Sequence, residues 1–499
     1  MKNYIFSLKA WQLSILSGLI IGLSYLPIHL GFCVYFGFIP LIHAWVNGSC
    51  KNNFKFGYLF GLVYNIISNY WIGANSGADI YVVQFSLVSA VMYLSIFWGI
   101  AGWIVGKIKN NSDIYLYIPL LFVSLEWVRS FGALGFAWGN LAITQTKYLP
   151  ILQFIDYGGT YLITFLVGLV NVILYKMFYY GFVAIIRQTL LVFLIIIFML
   201  AGWIKLSEYP ISSKVIDVAV IQPNIDPNKK WDYSTRESTI NIMDSLHNKA
   251  ITLDPKIILF PETALPTYLT MNNRIRNNLQ QKVNNSGIPI LIGTVDRLID
   301  SLGNKIYFNS SMFISPNSDY LMYEKIHLVP FAEYDLLPNL LIPLDKLNLN
   351  LNRGVFMSGN EFDVFDYDNI MFSNLICYES SFPRYSRGFI KRGAELLMIQ
   401  ANDGWLGNTA GPYQHFELAR LRAIENRVSV IRSGNTGISG IITPTGAVQK
   451  KISLNKQEVF SEKVAYGHKK TFYTKYGDVF AALCFVIFIF IGPVKCIKK

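Results

Sequence analysis

Eight apolar blocks limit what this chain can fold into. Seven precede residue 207, at roughly 11–28, 31–47, 56–75, 83–106, 114–130, 158–180 and 188–206, and the eighth lies at about 477–494. Each approaches the ~17–25 residues that a helix needs to cross ~30 Å of hydrocarbon; 31–47 and 114–130 are the shortest. Trp11, Trp45, Trp71, Trp103 and Trp203 fall near block ends, where indole rings settle at a membrane–water interface. With 53% hydrophobic residues and a mean hydropathy of +0.36, the chain reads as a multi-pass α-helical membrane protein carrying one large polar insert.

Lysine and arginine orient the blocks. Lys2 and Lys9 precede the first, Lys51 and Lys55 follow the second, Lys107 and Lys109 follow the fourth, Lys176 and Arg187 flank the sixth connection, and Lys495, Lys498 and Lys499 close the chain. The intervening turns at Pro27–Leu30 and Gly73–Asp79 carry neither residue type. The alternation predicts cytoplasmic termini and an external segment over 207–475, with Arg129 and Lys147 as exceptions on the outer side. The first block has no clear small-residue cleavage site and precedes seven more, so it reads as a retained helix. The predicted domains are 1–206 with seven spans, 207–475 outside, and 476–499 with the eighth span and a basic tail. The net charge of +12 is then largely a topology signal, with a basic outer surface adding attraction to anionic headgroups. Nucleic-acid binding is excluded, because the cytoplasmic loops are too short to form a domain.

The external stretch, about 270 residues, is long enough for a domain with its own core. Short β-branched runs recur at Val215–Gln222, Lys256–Phe260, Pro289–Val295, Asn309–Ile314, Met371–Tyr378, Leu396–Gln400 and Val428–Ser433, with helical patterns at Ser234–Ala250 and Tyr413–Arg427. In the second helix Leu418, Leu421 and Ile424 keep near one face, with Arg420, Arg422 and Glu425 between them. Val/Ile/Leu strands alternating with helices predict an α/β layered sandwich, with chemistry where strands end.

Three strand ends carry candidate chemistry. They are Pro261-Glu262-Thr263, the run Lys325-Ile326-His327-Leu328-Val329-Pro330-Phe331 with Glu333 behind it, and Ile376-Cys377-Tyr378-Glu379. Of five cysteines only Cys377 lies in the polar insert, so no disulfide can form within it. A lone thiol there is either inert and buried or working, and an isolated Glu or Lys at a strand end is ordinarily a solvated loop residue. Together, however, acid, amine and thiol are what an activated cysteine requires. A thiol of pKa ~8.5 is only about 3% ionised at neutral pH. A carboxylate can take its proton, and an ammonium favours the thiolate and a developing oxyanion.

These strings resemble the nitrilase superfamily. Combined with eight spans and an insert before the last, they resemble its apolipoprotein N-acyltransferase family of the bacterial inner membrane. Gln222-Pro223-Asn224, Asn402-Asp403-Gly404-Trp405, Gly411-Pro412-Tyr413-Gln414-His415, Arg420-Leu421-Arg422-Ala423 and Arg432-Ser433-Gly434-Asn435-Thr436-Gly437 extend the likeness over essentially the whole chain. The resemblance implies an αββα external fold in the periplasm, with Glu262 as general base, Cys377 as nucleophile and Lys325 as supporting cation. It also implies Glu333 as a second glutamate, Glu379 holding the loop and the Tyr378 N–H as oxyanion donor. The implied reaction moves an acyl chain from a phospholipid through a Cys377 thioester to the α-amine of a diacylglyceryl cysteine on an apolipoprotein. No metal or organic cofactor is implied, and a monomer is expected. Ala332, where the family commonly has Gly, and Ser380-Ser381 depart from the pattern in loop detail only.

Other readings stay open beside this one. His327 or His415 could form a Cys–His dyad. The proline-broken stretch Leu336–Leu351, with Leu340 and Leu341, is either a packed loop or an apolar arm that admits lipid. Trp231 and Trp405 either line an acyl entrance or are ordinary packing. Glu126 and Arg129 form either a snorkelled helix-end pair or a contact for headgroup or lipoprotein. The same triad would also serve a membrane-anchored amidase or hydrolase. A transporter would put charges or helix breakers near span midpoints, where charges are nearly absent.

Overall fold

A computed structural model describes residues 7–109, 114–299, 303–334, 356–467 and 469–491. The chain divides into two compact units, one of residues 1–74, 80–209 and 476–499, the other of 75–79 and 210–475.

The first unit is helical. Its main helices are α1 (Ala10–Leu23), α2 (Ile39–Asn47), α3 (Cys50–Asn69), α4 (Ile80–Ile108), α5 (Ile114–Arg129), α6 (Tyr161–Tyr180) and α7 (Phe182–Ser207), with Val479–Ile491 returning from the end of the chain. Of these, α4 and α6 are long and apolar enough to cross a membrane by length and composition. Two of the other blocks depart from single helices of their expected bounds. Block 31–47 breaks into a 3₁₀ turn at Gly31–Cys33, a short helix at Val34–Gly37 and α2, whose second residue is Pro40. The third block lies in a helix whose first turns carry Lys51, Asn53 and Lys55. α3 and α4 pack closely because glycines open the seam. A Cβ on Gly57 would meet the Trp98 carbonyl oxygen at 2.1 Å, and one on Gly102 the Asn53 oxygen at 2.1 Å, the small-residue contact typical of apolar helix pairs. Glu126 and Arg129 are both buried and do not form an outward-facing pair. Glu126 accepts from Leu141 N at 2.9 Å and from Thr164 Oγ1 at 2.5 Å, while Arg129 donates to the Gly139 carbonyl at 2.8 Å. They brace the 139–141 loop.

The second unit is a sandwich of two six-stranded sheets. One contains β1 (Val215–Gln222), β2 (Ile257–Leu259), β3 (Ile290–Ile299), β4 (Lys305–Ile314), β5 (Leu321–Glu324) and, at the β1 edge, β12 (Glu458–Ala465). The other runs from β6 (Phe365–Tyr367) through β7 (Ile370–Ile376), β8 (Leu396–Ala401), β9 (Ser429–Gly434) and β10 (Ser439–Ile442) to β11 (Val448–Ile452). β1–β2–β3 and β7–β8–β9 are parallel cores with antiparallel edges, which explains their near-continuous apolar sequences. Val218, Val220, Leu259 and Leu291 meet Leu375, Leu397 and Ile399 in the core that the second sheet shares. Helices α8 (Tyr233–Ile251) and α9 (Asn273–Ser286) cover the first sheet through Met243, Leu246, Leu279 and Val283. Helices α10 (Pro383–Lys391) and α11 (Ala410–Asn426) pack on the second through Phe389, Ile390, Phe416 and Ala419. α11 is buried nearly all round. Its charges are paired inside the protein, Arg422 with Glu425 at 2.8 Å and Arg420 with Glu417 at 2.7 Å, rather than forming a solvated face.

Candidate active site

Each candidate side chain sits just past a strand. Glu262 follows β2, Lys325 follows β5, and Cys377 is the first residue after β7, opening a 3₁₀ turn over Cys377–Ser381. Parallel strands end together, so their C-terminal loops converge. The Asn309 side-chain amide donates to Glu262 Oε1 at 2.8 Å and to Glu333 Oε1 at 2.9 Å. Lys325 Nζ donates to Glu333 Oε1 at 2.8 Å and lies 3.8 Å from Glu262 Oε1. The second oxygen of Glu333 accepts from Val329 N at 2.7 Å. Cys377 is half-buried, and its thiol sits within the electrostatic reach of both Glu262 and Lys325.

Glu379 ties the loops together. Its Oε1 accepts from Ile326 N at 2.7 Å and His327 N at 3.1 Å, its Oε2 from Ile376 N at 2.7 Å, and the Tyr323 hydroxyl lies 2.8 and 2.9 Å from the two oxygens. One fully buried carboxyl thus locks the lysine loop to the cysteine loop. Cys377 has φ +52°, a strained setting for a non-glycine residue that tightly held sites maintain.

The electrostatics favour a neutral thiol near the Glu262 carboxyl. Burial pushes the Cys377 thiol well up, as does Glu262, with Lys325 opposing. Burial likewise raises Glu262 above the ordinary carboxylate range, against the pull of Lys325. Burial works against the charge on Lys325, yet Glu333 and Glu262 outweigh it and keep the ammonium. The proton on sulfur therefore has a nearby acceptor, and any oxyanion formed there has a fixed cation.

His327 does not reach a base position. Its Nδ1 pairs with the Tyr385 hydroxyl at 3.0 Å, its ring packs among Tyr378, Phe382 and Tyr385, and burial, with Arg384 and Lys325, lowers its pKa to about 3. His415 comes closer, but Nε2 lies 3.1 Å from the Cys377 carbonyl oxygen and Nδ1 2.6 Å from Asp403. Cys377, Asp403 and His415 bring donor atoms within 4.8 Å of one another. Asp403 is already held by His415 and by Arg432 at 2.6 Å, so a metal would have to displace both.

Trp231 is 43% exposed, its ring 6.2 Å from that of Tyr268. Trp405 lies in the 3₁₀ turn Asp403–Leu406, where its carbonyl accepts from Ser76 N at 2.8 Å. Leu340 and Leu341 lie outside the described residues. Asn309 and Lys230 escaped the sequence reading. Asn309 starts an apolar run and has a single amide as its signal. Lys230 is buried beside Glu262, donating to Thr263 Oγ1 at 3.3 Å; burial lowers its pKa to about 8 against the pull of Glu262, and no motif marks it.

Residues 17–173 match the family of the apolipoprotein N-acyltransferase N-terminal domain, and 217–467 match the carbon–nitrogen hydrolase family. An apolipoprotein N-acyltransferase of Geobacter metallireducens is 31% identical over 490 residues, covering 95% of this chain and 93% of that one. That of Rickettsia prowazekii is 30% identical over 87% of this chain and 88% of its own, and that of Chlorobaculum tepidum 26% identical over 98% and 97%. With half the chain matching the hydrolase family and nearly all of it aligning with such relatives, the chain belongs to the apolipoprotein N-acyltransferase family, acyltransferases of the carbon–nitrogen hydrolase superfamily.

Proposed function

We propose that this enzyme transfers an acyl chain from a phospholipid, through a Cys377 thioester, to the N-terminal α-amine of a diacylglyceryl apolipoprotein. The observation that carries the reading is Lys325 at 3.8 Å from Glu262, with the Cys377 thiol acted on by both groups. Glu262 takes the thiol proton while sulfur attacks the ester carbonyl carbon, forming S–C and sending the π pair to oxygen. Lys325 and the Tyr378 N–H meet that charge. Collapse breaks the ester C–O bond, and the lysophospholipid oxygen leaves with the proton from Glu262. The acceptor amine then attacks the thioester and loses a proton to Glu262, C–S breaks, and sulfur recovers the proton. This is ping-pong transfer. Glu333 and Glu379 keep Lys325 and the cysteine loop in place, and Trp231 and Trp405 border the acyl entrance.

Eight spans, cytoplasmic termini and a periplasmic catalytic domain in the bacterial inner membrane belong to the same reading, which the alternating Lys and Arg residues support. The enzyme acts as a monomer.

Mass spectrometry after incubation with phospholipid tests it. Wild type should gain an acyl adduct that Cys377→Ala lacks and that a diacylglyceryl peptide discharges. Adducts elsewhere, or discharge by water alone at the same rate, would overturn the transferase reading in favour of a hydrolase.

A further inference from the structure

The carbonyl of Cys377 is firmly held. Its oxygen accepts from the Ser380 hydroxyl at 2.8 Å, and His415 Nε2 lies 3.1 Å away. Behind the imidazole stands a closed relay: Nδ1 is 2.6 Å from Asp403 Oδ1, and Arg432 donates to Asp403 Oδ2 at 2.6 Å. Ser380, Asp403, His415 and Arg432 are all at most 2% exposed. Three buried polar side chains in series, ending on one main-chain oxygen, exceed what packing of a surface turn requires.

Covalent geometry carries the constraint to the next residue. A peptide unit is planar, and among the described residues none is cis, so the Cys377 C=O and the Tyr378 N–H point in opposite directions. Fixing one aims the other. Cys377, at φ +52°, occupies a conformation that persists only where its surroundings over-determine it. A carbonyl oxygen and a carboxylate can only accept, so the contacts of Nε2 with the Cys377 oxygen and of Nδ1 with Asp403 together call for a proton on each ring nitrogen, and Nε2 also lies 2.9 Å from the Ser380 hydroxyl.

We infer that His415, backed by Asp403 and Arg432, is a positioning residue that pins the Cys377 carbonyl and so aims the Tyr378 N–H at the substrate oxygen that becomes negative during acyl transfer. No proton or electron pair passes through the imidazole. In the acylation step S–C forms, the carbonyl π pair moves to oxygen, and the thiol proton goes to Glu262. His415 acts only on the donor that meets the new charge. The inference rests on Cys377 being the nucleophile.

Two reactions of one sulfur separate this role from its competitors. Acylation by phospholipid develops an oxyanion, whereas alkylation by iodoacetamide displaces iodide and develops none. His415→Leu, in the full-length enzyme in detergent micelles, should slow adduct formation with phospholipid by about 10²-fold, the loss typical of a missing oxyanion donor. Its iodoacetamide rate should stay within about threefold of wild type, since sulfur, Glu262 and Lys325 are untouched. Ser380→Ala should show the same split at about tenfold, and His415→Gln, which presents an amide N–H near the Nε2 position, should recover part of the loss. A parallel fall in both rates would overturn the inference, as it would place His415 on the sulfur or in the fold. So would two unchanged rates. A wild type that forms no Cys377 adduct overturns the acyl-enzyme reading itself, an outcome distinct from an adduct that the His415 variants leave unaffected.

Discussion

Lys325 donates to Glu333 at 2.8 Å and stands 3.8 Å from Glu262, so the cation is anchored on one carboxylate and merely near the other. Asn309 reinforces the division by donating to both acids. A tight ion pair would cost Glu262 its basicity. Glu333 instead absorbs the ammonium and adds a like charge that raises Glu262, in the same direction as the larger effect of burial and against Lys325.

Glu333→Gln should therefore move Glu262 down the pH scale. Removing the like charge and freeing Lys325 to close on Glu262 both favour its ionised form. The acid limb of thioester formation shifts to lower pH, while the plateau drops by about 10²-fold because the base is weaker and Lys325 is mispositioned. Single-turnover mass spectrometry between about pH 5 and 9 checks this. An acid limb that stays in place or moves up would show that Glu333 does not govern Glu262.

Lys230 makes the opposite prediction. It is buried, bonds Thr263 beside the base, and feels the charge of Glu262. Lys230→Met keeps the volume and removes a cation, so the pKa of Glu262 rises and the acid limb moves up by roughly one pH unit. Folding should hold, since Glu262 keeps Lys325 as a nearby cation and burial already disfavours the Lys230 charge. If the variant shows an unmoved limb in the same single-turnover series, Lys230 has only a packing role.

The sequence made the strands of the second unit legible because parallel strands buried on both faces read as unbroken Val/Ile/Leu runs. β1 falls on the expected Val215–Gln222, and β8 (Leu396–Ala401) runs one residue beyond the expected Leu396–Gln400. The edge strands β5, β6, β11 and β12 were not expected. Val448–Ile452 is mostly exposed and carries Lys450 and Lys451, so it has no apolar signal to read. Glu262, Lys325 and Cys377 were visible as polar residues ending apolar runs. Asn309, Lys230, Asp403 and the purpose of His415 were not, because their partners lie far along the chain and no local pattern encodes the pairing. The division of the first unit into helices is legible only in part for a related reason. Apolar composition marks a block, while Pro40 and the Gly31–Gly37 turns decide how it is divided into helices.

Glu379 should be more sensitive than its position beside Cys377 conveys. It accepts from Ile326, His327 and Ile376 backbone N–H groups and from Tyr323 while fully buried. Glu379→Gln replaces one acceptor oxygen by an NH₂ that faces N–H donors on either side, leaving at least one buried donor unpaired. The expected cost is roughly 3 kcal/mol, with the lysine and cysteine loops released from each other. Thermal unfolding and iodoacetamide reactivity of Cys377 should both change, the first downward. A variant with wild-type stability would mean that the loops are held independently of this carboxyl.

His247 supplies an acid-sensitive point remote from the chemistry. It is 1% exposed on α8, its ring edge-on to Phe260 at 5.2 Å, and neither ring nitrogen has a hydrogen-bond partner among the described residues. Burial lowers its pKa to about 4, with Lys282 pushing the same way and Asp244 against. The unfolded chain, with an ordinary value near ~6.5, binds this proton first. Its neutral form therefore supports the fold fully above about pH 6.5, and that support is lost as pH falls toward 4, up to roughly 3 kcal/mol in all. His247→Leu removes the titration and leaves an apolar side chain against Phe260. The wild-type melting temperature should fall between about pH 7 and 5, and the variant's should fall less over the same range. Parallel curves would mean that His247 is protonated without cost in the folded protein, and that acid acts through the carboxylates instead.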